Sequence, residues 1–185
     1  MSAHLIVISS PSGGGKTTII KQLIVRNAGL RYSISATTRL PRPDETDGRD
    51  YYFLNQREFK SKVQGGEFLE FAEVHGFYYG TPKDAIDSDL QRGISPVLDI
   101  DVQGALTVKK NHSRALLIFI MPPSLRILES RLKRRGTEDR TTLEKRLSAA
   151  SKEVRAAREY DFLVFNEKVS QAISDIECII NHLRK

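Results

Sequence analysis

"ISSPSGGGKTTII", residues 8–20, carries the strongest structural signal in this chain. An apolar run, "LIVIS" (5–9), leads into a glycine-rich turn, and a helical pattern follows from about Lys16 to Asn27. The pattern G-x-x-x-x-G-K-[ST] makes a loop whose successive N–H groups point inward and ring a β-phosphate, with the positive end of the next helix behind them. Gly13, Gly14 and Gly15 give the permissive backbone needed to wrap an anion closely. Lys16 is placed to bridge β- and γ-phosphates, and the Thr17 hydroxyl to ligate Mg²⁺. A glycine-rich turn that happens to precede a lysine is the alternative; the strand before and the helix after speak against it. One position departs from the pattern, since its first glycine is Ser10. That glycine stands where strand becomes loop and serves turn geometry, so a small, turn-compatible serine has a modest cost. Nucleotide contacts are expected from the whole run of Ser10, Pro11, Ser12, Gly13, Gly14, Gly15, Lys16, Thr17 and Thr18.

On either side of this loop the chain alternates short apolar runs with longer amphipathic ones. "PVLDI" (96–100), "ALLIFIM" (115–121) and "FLVFN" (162–166) read as buried strands, followed by the helical patterns "VQGALTVKK", "SLRILESRLKRR" and "VSQAISDIECIINHL". Continuous apolar strands alternating with helices mean a parallel sheet covered on both faces. Residues 36 to about 95 break the rhythm, with most of the tyrosines, a "PRPDETDG" loop and the runs "RDYYFLN" and "EFLEFAEV". They predict a small lobe of short strands with one helix near "REFKSKV" (57–63).

The composition fits one domain. At 185 residues, 39% hydrophobic and 28% charged, the chain has enough apolar residues for a sizeable core and no signature of disorder. A single cysteine, Cys178, excludes an internal disulfide and fits a reducing cytosol. The longest apolar run, "ALLIFIM", is too short to span a bilayer, and "MSAHLIVISSPS" lacks the layout of a signal peptide. A cytoplasmic location is expected. The net charge of +6 is uneven, because residues 126–158 hold eleven Lys/Arg against five Asp/Glu while the remainder is neutral. Such a run is a solvated helical face, a nucleic-acid surface or a clamp on polyphosphate. The segment has none of the aromatic residues that single-stranded nucleic acid stacks upon.

Candidate acceptor groups gather in the lobe. Arg39 and Arg42 follow "SISATT", and arginine forks suit phosphate oxygens. Tyr51 in "RDYYF" and Tyr79 in "FYYGT" each offer a hydroxyl to the same phosphate. Singly, each tyrosine reads as a packed surface aromatic; beside two arginines they make a monophosphate site the better reading. Glu70 alternates with Leu69 and Phe71, which places it on the solvated face of a strand. Alternatively, its carboxylate accepts N1–H and the 2-amino group of guanine, an arrangement adenine cannot satisfy. Asp99 and Asp101, in "LDIDVQG", end an apolar strand where ligands collect in open α/β sheets, and one of them is a candidate helix N-cap. By position Asp99 is suited to orient Mg²⁺-bound water or an arginine.

Taken together, "SPSGGGKTT", "SATTRLPRPDETDGRDYYF", "EFLEFAEVHGFYYGTP", "LDIDVQG" and "RLKRRGTE...EKRLSAA" resemble guanylate kinase nearly end to end. The resemblance implies that Ser35, Glu70, Thr81 and Asp101 recognise guanine. It also implies that Arg39, Arg42, Tyr51 and Tyr79 hold the GMP phosphate, with Gly80 beside them. Arg131, Arg135 and Arg146 are implied to close on the phosphates as lid residues, Arg135 also lying near the adenine, and Asn166 to lie near the donor base. Ser10 is the visible departure from the family pattern.

The expected fold is α/β: a P-loop core with a parallel β-sheet flanked by helices, plus an inserted GMP-binding lobe and a helical lid. One domain, 1–185, divides into core (1–34, 96–125, 160–185), lobe (35–95) and lid (126–159). The expected activity is Mg²⁺-dependent, in-line transfer of the γ-phosphoryl group of ATP to GMP, and to dGMP. Catalysis is expected from Lys16, Arg39, Asp99, Arg131, Arg135 and Arg146, with no nucleic acid or membrane as partner. Two rivals are a non-catalytic guanylate-kinase-like module, which tends to lose the phosphate loop and lid arginines kept here, and a nucleic-acid-binding ATPase, suggested by charge alone.

Overall fold

A computed structural model of the protein describes residues 3–74, 76–134 and 140–183. Strand β1 (Ile6–Ser9) passes through the glycine turn into α1 (Lys16–Arg26) and then β2 (Leu30–Tyr32). The chain next builds a second sheet from β3 (Ala36–Thr37), β4 (Tyr52–Phe53), β5 (Phe68–Val74) and β6 (Phe77–Pro82), with α2 (Gln56–Gln64) before β5. Helix α3 (Lys83–Gln91) leads back to β7 (Ser95–Asp99), followed by α4 (Val102–Asn111) and β8 (Leu116–Met121). Two further helices, α5 (Leu125–Arg134) and α6 (Arg140–Ala156), precede β9 (Phe162–Phe165) and α7 (Val169–Leu183).

The first sheet has five strands in the order β2-β7-β1-β8-β9, every pair parallel. Its strands alternate two apolar sets, which is why they read as unbroken hydrophobic runs. Ile6, Ile8, Val97, Ile118 and Ile120 pack with Ile19, Ile20 and Leu23 of α1 and Ile173, Ile176 and Ile180 of α7. On the other face Val7, Leu98, Leu117 and Phe119 pack with Ala105 and Val108 of α4 and Ile86 of α3. The chain turns from one flank to the other at β1, so the glycine loop at its carboxyl end sits at the topological switch point, where open α/β sheets bind ligands.

The second sheet runs β4-β3-β6-β5 and is antiparallel except for β3 and β4. One face rests on aromatic packing, with Phe59 of α2 stacked 4.6 Å from Phe68 and 5.5 Å from Tyr78, centroid to centroid. Helix α2 starts on a capping box in which the Asn55 side chain and Glu58 bond reciprocally. Residues 35–95 hold two helices rather than the one predicted. The additional one, α3, packs on the parallel sheet through Ile86, and its Asp89 pairs with Arg31 of β2. Helices α5 and α6 share a small core of Leu128, Ala150 and Leu147. Among the described residues, no helix is long and apolar enough to cross a membrane.

Candidate active site

The glycine loop is shaped by three distinct constraints. Gly13 and Gly15 adopt φ of 86° and 92°, a left-handed backbone that strains any residue with a Cβ. Gly14 is needed for space instead, because a Cβ there would lie 2.9 Å from the Pro11 carbonyl oxygen and from Cβ and Oγ of Ser10. The Gly14 N–H donates to that same Pro11 oxygen at 2.8 Å, closing the turn. Ser10 adds a hydroxyl bond to it at 3.1 Å. The serine is therefore built into the turn and packs in the room that Gly14 leaves.

Lys16 opens α1, whose N-cap is Gly15. Its ammonium is drawn back across the loop, 2.6 Å from Asp99 Oδ1 and 2.9 Å from the Ile100 carbonyl oxygen. Sequence reasoning gave Asp99 to a metal-bound water or an arginine; the structure pairs it with the loop lysine. Thr17 and Thr18 are exposed on the first turn of α1. Asn166, placed by resemblance near a donor base, is 1% exposed and donates from Nδ2 to the Gly14 carbonyl at 2.7 Å. It fixes the loop from beneath.

Beside the loop, Ser35, Tyr51, Glu70, Tyr79, Asp99 and Asp101 line a cleft of about 140 Å³, together with Ala72, Val74 and Ile100. The alternation of β5 is inverted relative to a solvated strand: Glu70 is 5% exposed while Phe71 is 49% exposed. Glu70, Ala72 and Val74 all face the cleft, so the inward face of β5 is a ligand wall. Thr81, fully buried, donates its hydroxyl to Glu70 Oε1 at 2.6 Å. Burial raises the Glu70 carboxyl to about 7, against the Thr81 bond, and Asp101 adds to the rise. Asp101 is the N-cap of α4, accepting from the Gly104 N–H at 2.8 Å. Gly80 faces the other way, and a Cβ there would come within 3.0 Å of Phe68 and 3.1 Å of Phe59. Its part in the lobe is packing.

At the mouth of the cleft, Tyr51 and Tyr79 meet edge to face at 6.1 Å. The Arg39 guanidinium lies 5.5 Å from the Tyr51 ring centre. It also donates to Glu45 Oε1 at 2.8 Å, while Glu45 Oε2 accepts the Arg42 N–H at 2.8 Å. The Arg39 bond holds the Glu45 carboxyl below its ordinary range. Arg42 itself is exposed.

Two carboxylates here were missed from sequence. Glu45 lies in a loop whose acidic residues all look alike, and only the fold brings it to Arg39. Glu153, on α6, accepts a hydrogen bond from the Ser12 N–H of the phosphate loop; burial raises its carboxyl, opposed by that bond and by Lys16. Among the lid arginines, Arg131 lies on α5 and Arg146 on α6. Their side chains, and the whole of Arg135, lie outside the described residues.

Comparison with known proteins gives a consistent picture. The family model for guanylate kinase matches residues 2–183. A guanylate kinase of Clostridium tetani is 45% identical over 177 residues, covering 96% of this chain and 85% of that protein. A Thermotoga maritima guanylate kinase is 44% identical over 184 residues, covering 100% of this chain and 89% of its own. The crystal structure of guanylate kinase from Anaplasma phagocytophilum superposes with a TM-score of 0.81 at 32% identity, covering 98% of this chain and 86% of that one.

Proposed function

This chain belongs to the guanylate kinase family, and on that footing we propose how its residues divide the ATP-dependent phosphorylation of GMP. It is a nucleoside monophosphate kinase with GMP and ATP as substrates. Residues 10–18 hold the phosphates of ATP, chiefly through backbone N–H groups and the start of α1. GMP occupies the neighbouring cleft, its base between Ser35, Glu70, Thr81 and Asp101 and its phosphate against Arg39, Arg42, Tyr51 and Tyr79. The observation that carries this assignment is a buried carboxylate, Glu70, lining the same cleft as Asp99, the partner of Lys16. A buried acceptor pair needs two donors in one plane, which guanine offers and adenine does not.

The reaction is then a direct in-line transfer. The bond from the γ-phosphorus to the ADP oxygen breaks as a bond to a GMP phosphate oxygen forms, with no phosphoenzyme. Such a step asks for alignment and charge stabilisation more than covalent chemistry. Lys16 leaves Asp99 for the migrating phosphoryl group, Arg39 turns from Glu45 to the acceptor phosphate, and Arg131, Arg135 and Arg146 close from the lid to exclude water. Thr17 suits Mg²⁺, since its hydroxyl is an exposed hard oxygen on the first turn of α1. Among the described residues, no three carboxylates, histidines or cysteines are grouped to hold a metal alone, which fits an ion shared with substrate phosphates. Bound there, Mg²⁺ would neutralise negative charge on the substrate phosphates.

We extend the acceptor to dGMP because the assigned residues address base and phosphate, none of them the 2′-hydroxyl. The proposed cytoplasmic setting is supported by the nucleotide substrates and the single cysteine. The test is ADP release measured with ATP and each nucleoside monophosphate in turn. GMP and dGMP should turn over, with AMP, CMP and UMP slower by orders of magnitude; equal rates would sink the Glu70 assignment.

A further inference from the structure

Gly104 is the third residue of α4, inside a helix and outside the left-handed region. Glycine is the poorest helix former after proline, and alanine the best, so the local backbone gives no reason for it. Its surroundings do. A Cβ at Gly104 would lie 2.8 Å from Glu70 Oε2, 3.3 Å from Glu70 Cδ and 3.4 Å from Asp101 Oδ1. The other edge of the same carboxylate, Oε1, is held by Thr81 at 2.6 Å. The Glu70 carboxylate is thus clamped between a hydroxyl from β6 and the bare Cα of α4.

Gly104 also donates its N–H to Asp101 Oδ1 at 2.8 Å. One residue therefore lies against Glu70 and bonds Asp101, two of the three acidic groups that line the cleft. We infer that Gly104 is a positioning residue for base selection, its absent side chain leaving the space in which Glu70 is held to face the base. This inference rests on the reading of Glu70 as the group that recognises guanine.

The physical asymmetry makes it testable. An added methyl meets the end of a flexible side chain, not backbone, so the carboxylate yields and the fold does not. Glu70 must rotate away from Thr81 or move deeper into the cleft. Gly104→Ala should then raise the KM for GMP at least about tenfold, leave the KM for ATP within about twofold, and leave the melting temperature unchanged or higher. Adding Glu70→Asp, which withdraws the carboxylate by one methylene, should restore part of the GMP affinity lost in Gly104→Ala, although Glu70→Asp alone should weaken it.

Glu70→Gln, run beside these variants, separates two kinds of failure. If it changes the AMP:GMP ratio while Gly104→Ala keeps a wild-type KM for GMP, the inference about Gly104 is overturned and the Glu70 reading stands. If Glu70→Gln leaves the ratio unchanged, the reading of Glu70 falls and Gly104 falls with it. A Gly104→Ala enzyme that loses thermal stability and both substrate affinities together would make the glycine structural, again overturning the inference.

Discussion

The phosphate loop is a run of consecutive residues shaped by its own backbone, whereas the neighbouring cleft is lined by side chains drawn from positions between 35 and 101. The loop is fixed by the left-handed backbone at Gly13 and Gly15, by the turn bond of Gly14 and by the Asn166 amide below it. The cleft is fixed by contacts between elements: Thr81 on Glu70, Gly104 on Asp101, Glu45 on Arg39. Each half nevertheless keeps a cation paired with a carboxylate of its own chain, Lys16 with Asp99 and Arg39 with Glu45. On the proposed reading, triphosphate binding is a property of a local backbone, and base choice a property of assembled side chains.

The severest test of this division is Lys16→Met. It removes the loop lysine proposed to move from Asp99 to the transferring group, so kcat should fall by about 10³-fold or more. GMP affinity, measured by calorimetry, should stay within about twofold. Near-wild-type turnover would mean that the loop backbone alone suffices.

Next in size is Glu70→Gln. Its neutral amide leaves one guanine donor unpaired and can present an N–H to adenine N1. The AMP:GMP ratio of kcat/KM at saturating ATP should rise by about 10²-fold, with the KM for ATP unaffected. An unchanged ratio would return base recognition to Ser35, Thr81 and Asp101.

A smaller, pH-dependent effect follows from the Glu70 carboxyl, raised to about 7 by burial. Guanine's two donors need the carboxylate, so GMP affinity should rise with pH and level off above that value. Between pH 6 and pH 8 the ionised fraction grows about tenfold, and the KM for GMP should fall correspondingly. The GMP phosphate also titrates, near about 6; Glu70→Gln keeps that titration and should lose the rest. Stability has the opposite sign. The folded chain holds a proton that the unfolded chain releases above 4.5, so Glu70's contribution is full below 4.5 and is lost as pH rises through about 7. A GMP profile that is identical in wild type and Glu70→Gln would place the titration on the substrate.

The smallest effect should come from Ser10→Gly. The turn keeps its Gly14 bond to Pro11 and loses only the Ser10 hydroxyl bond to the same oxygen. Initial-rate kinetics should show kcat unchanged and the KM for ATP within about threefold. Loss of activity on restoring the glycine would give that hydroxyl a part in catalysis.

The difference between the halves also explains what could be read from sequence. The parallel core was legible because strands buried on both faces leave unbroken apolar runs, and the loop because left-handed turns demand glycine in a row. Helix α3 was not, since it meets the sheet mainly through Ile86 and Leu90 and its remaining positions apart from Ala85 are polar. Glu70 was readable as a candidate, but its burial was not, because Phe71 rather than Glu70 faces outward and alternation cannot tell a ligand wall from solvent. Asp101 kept the N-cap role that its position suggested. Glu45, Glu153 and Gly104 left no signal at all. Their importance lies in which atoms from other elements they touch, and no spacing along the chain encodes that.

One contact spans almost the whole polypeptide. Asn166, just past β9, donates to the carbonyl of Gly14, a partner 152 positions earlier. On a ribosome the glycine turn emerges long before the amide that steadies it. A nascent chain that has not yet made β9 carries every glycine of the motif and still lacks its support. Nucleotide should therefore stabilise the chain more once β9 and Asn166 are in place than before, which makes ATP a reward for folding and not a template for the turn.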